Sequence, residues 1–202
     1  MKFDCSVTIT QILNELRRRP TTYLIGIAGI PGSGKSTLSE LLSYEIPGSI
    51  VLPMDGYHLP RSSLDSEALR RRGAMHTFDF NAFRADLKHL RDNRHGFFPA
   101  FDHAEKDPKP NAIEITESTT KVIVEGLYLL MPKWNLHGLF DFTIYLDCEL
   151  EIAMQRVAAR HVGCGICDCL SSAWLQVARN DRLNAESIIA SKCDRYADLV
   201  FR

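Results

Sequence analysis

No apolar stretch of this chain approaches the roughly 18 consecutive residues that read as a membrane-spanning helix, so a bilayer is not an expected partner. Neither sign of charge dominates: 24 Lys and Arg face 25 Asp and Glu, a formal net charge of −1. Without a global positive field there is no counterion release to drive nucleic-acid binding. Nucleic acid is therefore excluded as the expected partner, and recognition of charge has to be local. Internal repeats, low-complexity tracts and obvious linkers are missing as well. With 45% apolar and 24% charged residues, the composition gives no support to a disordered, collagen-like or coiled-coil chain. No basic N-terminal segment leads into an apolar run and a small-residue cleavage site, which makes a cytoplasmic location the expectation. Six cysteines (Cys5, Cys148, Cys164, Cys167, Cys169 and Cys193) would suit a disulfide framework in a short secreted chain. This chain is neither short nor visibly secreted, so reduced thiols are expected.

A length of 202 residues suits one α/β domain and is short for two, so 1–202 reads as a single domain. Ile9, Ile12, Leu13 and Leu16 recur at helical spacing before Pro20, predicting an amphipathic leading helix within 1–20. Tyr23 to Ala28 is then a continuous apolar run, the pattern of a strand buried on both faces of a parallel sheet. Ile50 to Met54, Val122 to Val124, Phe142 to Leu146 and Ala197 to Phe201 read the same way. Helical patterns alternate with these strands over Ser36 to Glu45, Asn81 to Asn93, Glu149 to His161 and Ala173 to Arg182. Such alternation predicts a three-layer α/β fold, a mostly parallel sheet with helices on both faces. Phe97 to Glu117 is read as a small hairpin laid over that sheet.

Between the first strand and the next helix lies Gly29-Ile30-Pro31-Gly32-Ser33-Gly34-Lys35-Ser36, a match to G-x-x-x-x-G-K-[ST]. Glycines let consecutive backbone N–H groups turn toward a phosphate, and the following helix adds the positive end of its dipole. In this arrangement Lys35 reaches the β- and γ-phosphate oxygens and the Ser36 hydroxyl binds Mg²⁺. The fixed positions recur by composition in roughly one chain in a hundred of this length. The strand before and the helix after are what make the match specific for nucleotide, with ATP and Mg²⁺ the expected cofactors.

A phosphate loop does not name a reaction. The chain has no N/T-K-x-D element to read guanine and no L-S-G-G-Q signature of transporter ATPases. Asp55 follows one apolar strand and Glu125 another. Ligands of open parallel sheets collect at the carboxyl ends of strands, so both acids are expected to face the phosphate loop. One would then orient or deprotonate an attacking hydroxyl while the other holds Mg²⁺ or its water. The bland alternative is that each merely caps a turn.

Gly29 to Thr37, Met54-Asp55-Gly56-Tyr57-His58, Arg71-Arg72-Gly73-Ala74, Thr77-Phe78-Asp79, Phe101-Asp102-His103, Asp107-Pro108, Val124-Glu125-Gly126 and Arg156 to His161 together resemble the uridine kinase, phosphoribulokinase and bacterial-type pantothenate kinase branch. Within it the chain is most similar to uncharacterised kinases labelled as acting on sugars or in fructose transport. The resemblance runs from about Leu24 to Phe201 and implies a P-loop NTPase fold with a small lid over 156–182. It implies that Asp55 is the catalytic carboxylate, assisted by Lys35 and Arg160, and that Glu125 with Ser36 holds the metal. The nucleotide would be bound by Gly29, Pro31, Gly32, Ser33, Gly34, Lys35, Ser36, Thr37 and Arg156. Tyr57, His58, Arg61, Arg72, Asp102 and His103 would line the acceptor pocket.

Several features admit two readings. His161, Cys164 and Cys167 have ligand-like spacing, but a tetrahedral zinc site normally uses two separated pairs, and free thiols in a lid are the expectation. Arg17 to Arg19 decorate a helix end, Arg72 is divided between substrate and solvent, and Trp134 and Trp174 are expected to pack rather than stack on ligand. His58 and His103 stand between acceptor contact and structural hydrogen bonding. The functional expectation is transfer of the γ-phosphate of ATP to a hydroxyl of a small metabolite, with a sugar or sugar derivative ranked above a uridine-like nucleoside or pantothenate-like acceptor. A non-catalytic ATP-binding regulatory module is the alternative from another class. A homodimer is left open.

Overall fold

The structure, a computed structural model, describes residues 5–102 and 104–201 of the chain. Helix α1 (Cys5–Arg18) carries Arg17 and Arg18 in its last turn, where cations offset the dipole, and Arg18 pairs with Glu15. Strand β1 (Leu24–Gly29) leads through the glycine-rich turn into α2 (Lys35–Glu45), and β2 (Ser49–Pro53) runs directly into a 3₁₀ turn at Met54–Tyr57. After the short α3 (Ser66–Arg70), helix α4 (Phe80–Asn93) starts at Asp79, whose carboxylate accepts the Ala82 N–H. Strands β3 (Gly96–Asp102) and β4 (Asp107–Ile115) form an antiparallel hairpin, followed by β5 (Lys121–Gly126) and β6 (Phe142–Leu146). Helices α5 (Leu150–Gly163), α6 (Leu170–Gln176) and α7 (Arg182–Ala190) precede the last strand, β7 (Leu199–Phe201).

Five strands form one sheet in the order β2-β5-β1-β6-β7, and every pairing in it is parallel. Alternation along these strands divides the core. Leu24, Ala28, Val122, Val124 and Tyr145 point to one face, against α4, α5, α6, α7 and the hairpin. Ile25, Ile27, Ile123, Ile144 and Leu146 point to the other, against Ile12 and Leu16 of α1 and Leu38 and Leu42 of α2. Both faces are therefore covered, the condition under which strands read as unbroken apolar runs. This is the expected three-layer P-loop α/β fold. Among the described residues no helix is long and apolar enough to cross a membrane.

Two elements differ from their sequence patterns. The expected helix over Ala173 to Arg182 belongs to a longer helical stretch, α6 and α7 joined by a five-residue π turn at Val177–Asp181. The last strand begins at Leu199 rather than Ala197, because Cys193–Tyr196 is a 3₁₀ turn and Asp198 turns its carboxylate onto the N–H and hydroxyl of Thr143, each at 2.8 Å.

The hairpin is seated on the turn that follows β2. A Cβ at Gly56 would collide with the Pro99 carbonyl of β3, so glycine there sets how closely the hairpin approaches Asp55. Gly56→Ala is expected to cost about 1–3 kcal/mol through overpacking, measured as a lowered urea midpoint; an unchanged midpoint would show that the hairpin yields freely.

Candidate active site

The glycine-rich turn closes β1 against α2. Gly34 has φ +99° as the residue before α2, and Gly32 has φ +78°, both left-handed conformations that disfavour a side chain. At Gly32 space is also denied, because a Cβ would run into the Ala153 carbonyl and Val157 of α5. The loop is thus packed against the helix that carries Arg156 and Arg160. Lys35 is buried, and its Nζ donates to the Ile30 carbonyl at 2.9 Å. Ser36 Oγ donates to Glu125 Oε1 at 3.2 Å. Ser33 Oγ is buried without a hydrogen-bond partner.

A cavity of about 160 Å³ opens here, lined by Lys35 and Ser36 on the loop, Asp55 and Glu125 at the strand ends, His58 and Phe78 on one wall, and Arg160 and Asp181 on the helical side. Two buried opposite charges dominate its electrostatics. Burial lowers Lys35 to about 8 against the raising influence of Glu125 and Asp55. Burial pushes the Glu125 carboxyl up, opposed mainly by Lys35. The balance of desolvation against a close counter-charge keeps such a pair tolerable in the interior. His58 and Phe78 face each other across a short antiparallel bridge, ring centroids 4.0 Å apart. Burial takes His58 down to about 4, so near neutral pH it presents a neutral imidazole and not a cation.

The expected site residues divide accordingly. Pro31, Gly32, Lys35, Ser36, Asp55, His58, Glu125 and Arg160 line the cavity. Gly29, Ser33, Gly34 and Thr37 shape the loop and the first turn of α2 behind them. Arg156 reaches the loop from α5, its guanidinium 3.4 Å from the Gly32 carbonyl. Four of the expected acceptor residues are engaged elsewhere. Tyr57 is buried against Phe83 and donates its hydroxyl to Asp86 at 2.9 Å. Arg72 binds Asp107 at 2.8 Å and the carbonyls of Lys106 and Leu59, clamping the hairpin to the segment before it. Arg61 is exposed and gives its backbone N–H to the same Asp107. Asp102 accepts from the Ala104 and Glu105 N–H groups as the cap of the hairpin turn. His103 lies outside the described residues.

Asp181, Asn184, Gly73, Gly126 and Leu127 complete the cavity lining. Neither Asp181 nor Asn184 carried a sequence signal: one sat in an ordinary amphipathic pattern and the other beyond the expected helix end. His161 brings its imidazole toward Asp181, Nε2 to Oδ2 3.7 Å. Cys164, Cys167 and Cys169 are free, and among the described residues no group of three or more His, Cys, Asp or Glu is gathered for a metal. Trp134 stacks on Phe80 in the core, centroids 3.6 Å apart.

The sequence pattern of the Phosphoribulokinase / Uridine kinase family matches residues 24–163. The chain belongs to this family. Among its relatives, "Putative uridine kinase C227.14" of Schizosaccharomyces pombe is 37% identical over 186 residues, covering 84% of this chain and 79% of that one. "Uncharacterized protein YggC" of Escherichia coli is 32% identical over 200 residues, 94% of this chain and 80% of that one. A crystal structure of a "putative fructose transport system kinase from Silicibacter sp. TM1040" superposes with a TM-score of 0.85 at 31% identity, covering 99% of this chain and all of the other. The kinase family accounts for the geometry of the loop, since its turn, its buried lysine and the α2 N-terminus present cationic and N–H groups together. The hydroxyl and carboxylate of Ser36 and Glu125 are hard oxygen donors of the kind Mg²⁺ takes, so the residues present fit that ion.

Lys35→Ala removes the one buried cation of the loop while leaving the glycine turn and α2 intact. Turnover is expected to fall by about 10²-fold or more, with the far-ultraviolet circular dichroism unchanged. A folded variant with near-normal turnover would place catalysis elsewhere.

Proposed function

We propose that this kinase transfers the γ-phosphate of ATP to a hydroxyl of a small polyhydroxylated metabolite, with Asp55 as the base. The observation that carries the reading is the sharing of one cavity by Asp55, Lys35, Ser36, Glu125 and Arg160. Asp55 acts electrostatically on both Lys35 and Glu125, so it stands beside the phosphate machinery and not on a remote turn.

Phosphoryl transfer passes through a loose transition state, so positioning and charge neutralisation supply most of the rate. Lys35 and Arg160 supply fixed positive charge to the transferring group, and Arg156 holds α5 to the loop through Gly32. Ser36 and Glu125 would hold Mg²⁺, whose contribution when bound is to neutralise phosphate charge. Asp55 accepts the proton of the acceptor hydroxyl as its oxygen bonds to the γ-phosphorus. The bond from that phosphorus to the β–γ bridging oxygen breaks, and ADP leaves with the electron pair. Helices α5 and α6 and the turn between them would act as the lid, limiting the access of water.

The walls favour a sugar-like acceptor over a nucleoside. A nucleobase needs a flat apolar slot, and nearby rings are engaged elsewhere: Tyr57 and Phe98 are buried in the core and Phe101 lies under Arg72, 5.5 Å from its guanidinium carbon, which leaves Phe78 as the single phenyl ring on the lining among the described residues. The test is an ATP-consumption screen over sugars, sugar phosphates, nucleosides and vitamin precursors, with product masses confirmed. A preference for uridine or cytidine would overturn the acceptor class, and basal turnover across the whole panel would favour a regulatory ATP-binding module.

With the acceptor in hand, Asp55→Asn keeps size and hydrogen bonding but removes the proton acceptor. kcat is expected to fall by about 10²–10⁴-fold while ATP affinity holds. An unchanged kcat would move the base to another carboxylate of the cavity.

A further inference from the structure

The cavity contains a second polar group that the phosphoryl-transfer steps leave unused. Asp181 ends the π turn, where the Arg182 N–H reaches back to the Val177 carbonyl instead of closing a normal α-helical turn. Such wide turns are rare and recur at functional sites. Here the turn is tied down from outside. Arg71 donates to the Arg179 carbonyl and to Asn184 Oδ1, and Asn180 donates to the Arg72 carbonyl at 2.7 Å. Gly73, at φ +95°, lies against the amides of Asn180 and Asn184, each 3.9 Å from where a Cβ would stand. The π turn and the 71–73 segment thus form one braced wall of the cavity.

Hydrogen-bonding capacity on that wall is unfilled. Asp181 Oδ2 is buried with no hydrogen-bond partner, as is His58 Nδ1 on another wall of the cavity, and so is Nδ1 of His161, which approaches Asp181 without lining the cavity itself. The approach of His161 to Asp181, at 3.7 Å, is too long for a hydrogen bond. Asn184 is buried, and its contacts to Asn180 and Arg71 are long, at 3.5 and 3.4 Å. Leaving such atoms unpaired costs about 1–3 kcal/mol each, so two of them lining one cavity, Asp181 Oδ2 and His58 Nδ1, call for a ligand that completes them.

We propose that Asp181 and Asn184 form the acceptor-recognition face of this kinase, reading adjacent hydroxyls of a neutral polyol or sugar, with His161 as the positioning residue that orients Asp181. The inference rests on the kinase reading above and sharpens it. A carboxylate accepts from two neighbouring hydroxyls, while a primary amide both donates and accepts, which matches the mixed character of a vicinal diol. Charge selects for neutrality. Asp181 joins Asp55 and Glu125 in the same cavity, and among the described residues Lys35 and Arg160 are the cations that line it. The arginines that would have received an acidic group, Arg61 and Arg72, lie at the surface or in the hairpin clamp. Burial also raises the Asp181 carboxyl, with His161 and Arg160 opposing, as suits a group that awaits hydroxyl partners.

The test uses D-ribose, D-fructose, sorbitol, D-gluconate, D-fructose 6-phosphate and uridine as probes, with turnover read by ATP consumption and binding by ligand-observed NMR. For wild type, a neutral sugar or polyol is expected to be preferred over gluconate and fructose 6-phosphate. Asp181→Asn should raise the acceptor KM by about 10-fold or more, with the ATP KM and the kcat at saturating acceptor within about threefold. Asn184→Ala, read in the same way, covers the case in which Asp181→Asn does not fold. His161→Gln should raise the acceptor KM by a smaller factor, without moving kcat. An unchanged acceptor KM in the folded variants, or a wild-type preference for an anionic probe, would overturn the inference and leave the kinase reading standing. A wild type that neither binds nor phosphorylates any probe would overturn the inference together with the polyhydroxyl-acceptor reading.

Discussion

Parallel pairing of β1 with β5 sets Ile27 opposite Glu125 and Ala28 opposite Gly126, and the meeting of Lys35, Ser36, Glu125 and Asp55 in the cavity follows from that register. Because the strands run the same way, their carboxyl ends fall on one edge of the sheet. The phosphate loop leaves β1 at that edge, and Glu125 sits beside it. The pairing of β2 with β5, Pro53 opposite Glu125, then delivers Asp55 two residues later to the same place. A slip of one residue would turn Glu125 to the opposite face and separate it from Ser36 and Lys35. The alternating apolar residues of these strands, committed to two different core layers, resist that slip.

Lys35 and Glu125 illustrate how a binding site uses a costly arrangement. Each is nearly inaccessible, at 7% and 8% exposure, and each is displaced from its ordinary proton affinity by burial while the other opposes the shift. Neither would be tolerated alone in that environment. Together they leave a cation held by the charges of Glu125 and Asp55 and by the Ile30 carbonyl, within a loop whose glycines keep the approach clear of side chains. An anionic ligand replaces weak internal partners with stronger ones, which is the electrostatic sense of a preorganised site.

The other half of the cavity is built by clamps. Arg72 joins Asp107 to the carbonyls of Leu59 and Lys106, so that the hairpin, the His58 segment and the 71–73 segment move as one body. Arg71 and Asn180 extend that body to the π turn. Residues that look like ligand contacts in a list of charged and aromatic side chains, Tyr57, Arg72 and Asp102 among them, are the fasteners of this frame. The side chains that line the cavity from this frame are quieter in sequence: Asp181 and Asn184.

The alternation of apolar strands with amphipathic helices, and the G-x-x-x-x-G-K-S run between the first pair, determined the layers of the fold and the phosphate loop by themselves. Those signals are local: strand burial, helix periodicity and a turn that needs glycine all act within a few residues. Asp55 and Glu125 were legible for the same reason, since the end of a parallel strand has a known address. The rest of the cavity wall was decided only by tertiary structure. Whether Arg72 meets a substrate or Asp107 depends on where a hairpin more than thirty positions away comes to rest, and whether Asp181 faces solvent or the cavity depends on one wide helical turn braced by Arg71. No spacing rule encodes either outcome, because both are settled by which of several competing partners a long polar side chain reaches first in the packed molecule.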